Sequence, residues 1–308
     1  MVVTGEFAAI AGIRAALPDA PDPREVWIGD DAAVLNFPAG HRLLFAADTV
    51  VAGVHADLAL TTLDDLGWKA LVAAVSDVAA MGGEPGFAVV TVAGPPGTDL
   101  AQLYEGLGAA AAACRCPIVG GDLTNAPDLV ITVAVTGSVD GEPVLRSGAR
   151  PGDGVWVTRP VGAAAAGLRS YRARAGSGPA GGAGQELRRA HARPTAELAA
   201  GRAARLAGAG AMIDVSDGLA ADLGHIAGAS GVGMRLDWLP VAAGATREEA
   251  LGGGEDFALA FCAPEGAPVI EAFIGLAEPV RIGTCTSDSG RLTLEGSPLE
   301  VTGWEHQW

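Results

Sequence analysis

The sequence predicts a mixed α/β (α+β) protein built from two domains. Three observations carry that prediction. Its 308 residues are long for one core and fit two domains of about 150 residues each. Strand-like and helix-like apolar patterns alternate irregularly in both halves, which matches neither a Rossmann nor a barrel pattern. Between the halves, residues 137–154 (GSVDGEPVLRSGARPGDG) collect turn formers and mark the boundary. The domains are therefore expected at 1–145 and 146–308.

Residues 6–16 read as a short amphipathic helix, and LLFAA (43–47) as a buried strand running into Asp48. Residues 62–80 repeat apolar positions at helical spacing, with Thr61 or Thr62 as the cap and Gly82, Gly83 and Pro85 as the stop. GFAVVTVA (86–93) is β-rich, 98–114 is helical, 117–119 is a strand leading into Gly-Gly-Asp, and 129–137 is another strand. The second half restarts with strand 155–158 and an Ala-rich helix near 163–170. Residues 174–184 read as a flexible Gly-rich loop. A helix near 195–207, strand 211–215 and a helix from about 218 follow, with later strands near 257–262, 280–284 and 291–294.

Hydrophobic residues make up 49% of the chain but aromatics only 5%. The core must be Ala, Val and Leu, with close backbone contacts at Gly. A net charge of −16 argues against nucleic acid and anionic membranes as partners. The start lacks a signal-peptide pattern, and apolar stretches break before 18 residues, so no membrane span is expected. Cys114, Cys116, Cys262 and Cys285 lack zinc spacing and read as buried thiols of a reducing cytoplasm.

Five places share one design: an apolar segment runs into Asp beside Gly, Ser or Ala. They are IGDDAAV (Asp30, Asp31), FAADTV (Asp48), AVSDVAAMGG (Asp77), IVGGDLT (Asp122) and MIDVSDGLAADLG (Asp214, Asp217, Asp222). A carboxylate withdrawn from water needs a partner. The chain's one Lys, Lys69, and its sparse nearby Arg do not supply it. A divalent cation does. Mg²⁺ prefers oxygen ligands and bridges carboxylates to phosphates, so these residues point to several Mg²⁺ ions on a polyphosphate. The structural alternative is that each Asp caps a helix or turn, above all Asp217 at the head of SDGLAADLG.

No Walker P-loop or protein-kinase glycine loop is present, and no G-x-G-x-x-G follows a strand: the one match, Gly176 to Gly181, lies in the low-complexity stretch after a helix. The five His are scattered, and no serine-triad or zinc-protease motif appears. Phosphate binding is left to metals, to backbone amides such as those of Gly120–Gly121, and to Arg.

Taken in order, these motifs resemble the thiamine-monophosphate kinase family of the aminoimidazole-ribonucleotide-synthase-like superfamily. The resemblance runs almost end to end. It covers Gly5-Glu6-Phe7, GDDAAVL (29–35), DTVVAGVH (48–55), LGWKALVAAVSDVAAMGGEP (66–85) and VGGDLT (119–124). It continues through RSGARPGD (146–153), MIDVSDGLAADLGHIAGASGVG (212–233), LGGGEDFAL (251–259) and GWEH (303–306).

The resemblance implies a homodimer formed through the N-terminal domains, with ATP near the dimer interface and a C-terminal domain completing the substrate site. It implies γ-phosphoryl transfer from ATP to thiamine monophosphate, giving thiamine diphosphate and ADP. It assigns Asp30, Asp48, Asp77, Asp122 and Asp214 as Mg²⁺ ligands, with Asp217 as a further metal contact, and the pattern of acids adds Asp31. It assigns Gly121, Arg146 and Ser216 to ATP, His55 to the substrate, and Glu255 or Asp256 with Trp304 to the thiamine end. Asp122, Asp217 and Arg146 are the expected catalytic groups. The chemistry agrees, because an acceptor phosphate is already ionised near neutral pH and the task is to bring two polyanions together. Each of these residues also has a purely structural reading: Arg146 in the boundary loop, His55 in a turn, Trp304 tethering the tail.

The chain departs from the family pattern at Ala46-Ala47, where a hydroxyl residue is usual, at Leu123 in place of Thr, at Ala56 in place of Phe, and in its GWEHQW tail. These departures surround the site rather than the core. They leave two alternatives open: a paralogue with another phosphate acceptor, and a non-catalytic nucleotide-binding regulator.

Overall fold

The computed structural model describes residues 12–18, 21–22, 36–174 and 182–304. Asp30, Asp31, the Gly5-Glu6-Phe7 start, GDDAAVL, most of the 174–184 loop and His306 lie outside the described residues. Of the helix expected at 6–16, residues 12–16 are described and are helical. The chain divides into two compact units, residues 1–78 with 85–141, and residues 79–84 with 142–308.

Unit 1 contains β1 (Arg42–Val51), α1 (Leu63–Ala80), β2 (Glu84–Gly94), α2 (Leu100–Cys114), β3 (Ile118–Asn125) and β4 (Val130–Val139). The last residues of α1 and the first of β2 belong to unit 2. The strands form one sheet in the order β1-β4-β2-β3, with β1 antiparallel to β4 and β2 parallel to β3.

Helix α1 starts where Thr62 Oγ1 accepts from the Asp65 N–H and Asp65 accepts in return from the Thr62 N–H, a reciprocal cap. Asp99 caps α2 by accepting from the Gln102 N–H. The two helices close at glycines. A Cβ on Gly67 would stand 2.2 Å from the Leu103 carbonyl oxygen, and one on Gly106 would stand 1.8 Å from that of Asp64. The Ala-rich composition thus serves backbone proximity. Leu44, Val50, Val90, Val92, Ile131, Val133 and Val135 are buried on one sheet face. Alternate residues Leu43 and Phe45 are 56% and 73% exposed on the other.

Two strands run further than the apolar patterns indicate. β1 continues through Asp48 to Val51, and β3 continues through Gly120, Gly121 and Asp122 to Asn125. Gly121 pairs with Val90, and a Cβ on it would stand 1.9 Å from the Val90 carbonyl oxygen. The glycines here serve strand packing as well as any turn.

Unit 2 holds a seven-stranded sheet in the order β11-β10-β7-β9-β5-β8-β6. Its strands are β5 (Gly154–Val157), β6 (Ala211–Asp214), β7 (Gly233–Leu236), β8 (Leu259–Ala263), β9 (Val280–Thr286), β10 (Leu292–Leu294) and β11 (Ser297–Pro298). Its helices are α3 (Ala163–Arg174), α4 (Gly182–Ala192), α5 (Leu198–Leu206), α6 (Leu219–Ser230), α7 (Arg247–Gly252) and α8 (Val269–Ala272). Most pairings are antiparallel, with β10 and β7 parallel.

Alternate residues of β8 and β6 enter two cores. Ala260, Cys262, Ala211 and Ile213 pack with Leu219, Leu223 and Ile226 of α6. Leu259, Phe261 and Met212 pack with Ala200, Ala203 and Ala204 of α5. The expected mixed α+β architecture is the one the chain adopts. The expectations passed over α4, β7, α7 and α8. For α7 a signal stood in the sequence, the capping box from Thr246 to Glu249.

All four cysteines are free and buried. No helix among the described residues is long and apolar enough to cross a membrane.

Candidate functional site

In unit 2 the chain leaves β6 at Asp214, which is 4% exposed. It crosses Val215-Ser216-Asp217-Gly218 and enters α6. This crossing is organised by Asp222, one turn into the helix and 1% exposed. One of its carboxylate oxygens accepts from the N–H groups of Ser216, Asp217 and Gly218 at 3.1, 3.2 and 3.1 Å. Asp217 does not cap α6: the N-cap residue is Gly218, with no side-chain cap bond, and Asp222 instead reaches back to fix the loop before the helix.

Burial, and then the charges of Asp214 and Asp217, push the Asp222 carboxyl up to about 8, against the three N–H bonds that favour its ionised form. Donor atoms of Asp217, Asp222 and His225 lie within 4.8 Å of one another. His225 had no part in the expected site. The signal for it was its i+3 spacing from Asp222 on one helix face. Negative charge accumulated at a strand end, with carboxylate oxygens as the main donors, is an environment that Mg²⁺ fits.

A second loop locks against the first. Gly218 has φ +125°, and a Cβ on it would stand 2.9 Å from Gly252. A Cβ on Gly254 would stand 2.3 Å from the Ser216 carbonyl oxygen, to which Glu255 donates its N–H at 2.8 Å. Glu255 and Phe257 both adopt positive φ, +67° and +50°, in the left-handed region where non-glycine residues are uncommon.

The two acids of this turn part company. Asp256 is 2% exposed, and its carboxylate accepts from the N–H groups of Gly162 and Ala164, the latter at 3.0 Å, at the start of α3. Burial raises its carboxyl above the usual carboxylate range, opposed by these bonds and by Arg159. Asp256 is thus committed to a helix N-terminus. Of the pair Glu255 and Asp256, Glu255 is the more exposed, with its side chain 26% exposed and its Oε2 3.5 Å from His191 Nδ1.

The C-terminal segment joins the same neighbourhood. A Cβ on Gly303 would stand 2.6 Å from Ala221 Cβ and 2.7 Å from the Asp217 carbonyl oxygen. Trp304 donates its main-chain N–H to that carbonyl at 3.0 Å and is 55% exposed. Ser216, Asp217, Glu255 and Trp304 are therefore brought together.

Arg146 is not brought to them by the described contacts. Its carbonyl accepts from Ser230 Oγ at 3.2 Å, and Ser230 Oγ in turn accepts from the N–H groups of Gly148 and Ala149. Ser230 ends α6, so about 18 Å of helix separates it from the Ser216–Asp217 loop. The Arg146 residue is exposed.

Unit 1 carries the remaining expected residues. Asp48 is half-buried in β1, and its carboxylate accepts from the Thr49 N–H at 2.7 Å. Asp77 is half-buried in the last turn of α1, and Asp122 is exposed in β3 beside Thr91. His55 accepts the Val51 N–H on Nδ1 at 2.9 Å, which leaves the ring proton on Nε2. Lys69, 2% exposed, donates to the His55 carbonyl at 3.1 Å. The single lysine thus holds a loop rather than serving as a phosphate contact.

Comparison with known proteins finds matches in both units. Residues 29–139 match the N-terminal domain of AIR synthase related proteins, and residues 150–295 match their C-terminal domain. The thiamine-monophosphate kinase of Salmonella typhimurium is 36% identical, with 98% of each chain covered. The crystal structure of thiamine-monophosphate kinase from Stenotrophomonas maltophilia superposes with a TM-score of 0.84 at 34% identity, covering 96% of this chain and 98% of that one. A structure of AaThiL complexed with AMPPCP and TMP superposes with a TM-score of 0.79 at 30% identity, covering 98% and 97%. Likeness of this extent takes in both the Ser216–Asp217 crossing and the turn at Glu255, and the chain belongs to the thiamine-monophosphate kinase family.

Proposed function

We propose that this protein transfers the γ-phosphoryl group of ATP to thiamine monophosphate, giving thiamine diphosphate and ADP. The observation that carries the reading is the full-length likeness to a thiamine-monophosphate kinase, 36% identical over 98% of both chains. The loop geometry supports it: Ser216 and Asp217 offer phosphate and metal contacts beside Glu255 and Trp304. Purified protein supplied with ATP, Mg²⁺ and thiamine monophosphate should form thiamine diphosphate and ADP in equal amounts. Tight ATP binding without that product would overturn the reading in favour of a regulator.

Asp48, Asp77 and Asp122 in unit 1 and Asp214 and Asp217 in unit 2 are the proposed holders of Mg²⁺, together with Asp30 and Asp31. Bound Mg²⁺ supplies positive charge that offsets the phosphates of the nucleotide. The chain's own residues bind and orient. His55, with its proton on Nε2, is in the form that donates to a phosphate oxygen. Arg146 and Gly121 are proposed ATP contacts, the former through its paired N–H groups. Glu255 and Trp304 suit a cationic aromatic ring, by charge and by stacking. The attacking phosphate oxygen is already ionised near neutral pH, so no residue is needed as general base.

Leu43 and Phe45 on the open face of the unit 1 sheet support a homodimer formed there between two copies of the chain. Four buried thiols and the absence of any disulfide among them fit a cytoplasmic location. Sedimentation of Phe45→Asp should show monomer where the unaltered protein shows dimer.

A further inference from the structure

Behind Glu255 stands a buried histidine that no motif singled out. His191 lies in the last turn of α4, and its side chain is 5% exposed. Its Nδ1 is 3.5 Å from Glu255 Oε2. The approach depends on Gly167 of α3. A Cβ there would stand 2.1 Å from the Leu187 carbonyl oxygen and 2.9 Å from His191 Cβ. Two helices close at a glycine, and the closure brings the imidazole within reach of the loop. The ring also meets Tyr171 edge-on, with centroids 6.1 Å apart and planes at 64°. A ring packed in this way has few rotamers open to it.

The main chain of Glu255 is constrained as tightly. Its φ of +67° is unfavourable for a residue with a Cβ and persists where the surroundings over-determine it. Here the Ser216 carbonyl takes its N–H, and Asp256 is tied to α3 immediately after it. With the backbone set, the direction of the carboxylate falls to its side-chain partners. Holding a glutamate that is one quarter exposed in one rotamer before binding spares rotamer entropy at every binding event.

We propose that His191 is a positioning residue for Glu255, holding that carboxylate in the orientation that receives the positively charged ring of the acceptor substrate. The inference rests on the kinase reading above, which supplies a substrate with such a ring. His191 acts through Glu255, so its effect falls on the acceptor and spares ATP.

Two amide substitutions separate positioning from packing. Asn places its amide nitrogen near where Nδ1 stands, whereas Gln places it near Nε2. His191→Asn is expected to keep the KM for thiamine monophosphate within about twofold, and His191→Gln to raise it about tenfold, with the KM for ATP unchanged in both. Glu255→Gln should raise the same KM, and His191→Gln added to it should cost nothing further. Equal effects of Asn and Gln, a KM for ATP that moves in parallel, or an additive double variant would each overturn the proposal. Should the His191 variants fail to fold, the imidazole ¹⁵N spectrum of Glu255→Gln replaces them. The His191 Nδ1 resonance has to shift, and an unmoved resonance overturns the pairing. Wild-type protein that forms no thiamine diphosphate overturns the kinase reading and this inference with it. Active wild type with an unchanged KM in His191→Gln overturns this inference alone.

Discussion

The main-chain N–H of Trp304 donates to the Asp217 carbonyl at 3.0 Å, one peptide along from the Ser216 carbonyl that accepts the Glu255 N–H at 2.8 Å. The tail and the Glu255 turn thus hang from adjacent residues of one loop. An indole and a carboxylate gathered on the same peptide pair suit a flat cation. Trp304→Ala should raise the KM for thiamine monophosphate roughly fivefold to tenfold while leaving that for ATP in place. Steady-state kinetics with each substrate varied in turn will show whether the two constants separate. If they move together, Trp304 only tethers the tail.

Asp122 is exposed on β3, so its carboxylate carries little of the fold. Asp122→Asn should lower kcat at least about a hundredfold and leave the melting temperature near that of the wild type. Near-normal turnover in this variant would remove Asp122 from the metal ligands.

Asp256 and Asp222 should behave as structural acids. Asp256→Ala strands the N–H groups of Gly162 and Ala164, and Asp222→Ala strands those of Ser216, Asp217 and Gly218. Buried donors without acceptors cost on the order of 1–3 kcal/mol each before relaxation. Both variants should lose about 2–4 kcal/mol in urea unfolding. A mild Asp256→Ala phenotype confined to substrate KM would return that residue to the binding site.

Alkaline pH should weaken unit 1 through α2 and the residues that follow it. Burial pushes the thiol of Cys114 up to about 11 and that of Cys116 to about 12, each from 9.0, and the hydroxyl of Tyr104 up to about 12 from 10.0. Each folded value lies above its unfolded one. The corresponding stability is therefore complete below about pH 9 and is lost as pH rises through 11 to 12. Urea midpoints measured from pH 8 to 11 should fall above pH 9. Replacing both cysteines with Ala and Tyr104 with Phe should flatten that fall.

The helices 63–80 and 100–114 were readable because local spacing and a capping threonine or aspartate set them. Helix 182–192 was not, because its first turn is Gly-Ala-Gly and merges with the low-complexity stretch before it. Strand β3 outran its apolar run because Gly120 and Gly121 look like a turn in sequence yet serve as strand residues against Val90.

The acids at the ends of apolar runs, the missing P-loop and the order of motifs along the chain are local properties of the sequence, and from them followed the family, the chemistry and most of the elements. Which acid binds and which supports is not local. Glu255 and Asp256 are neighbours in the chain. One is turned toward His191 and the other toward the start of α3, because Gly254 and Gly167 let distant backbones approach more closely than any other residue would allow. That division depends on contacts between residues some 60 to 90 positions apart, and only the folded chain brings them together.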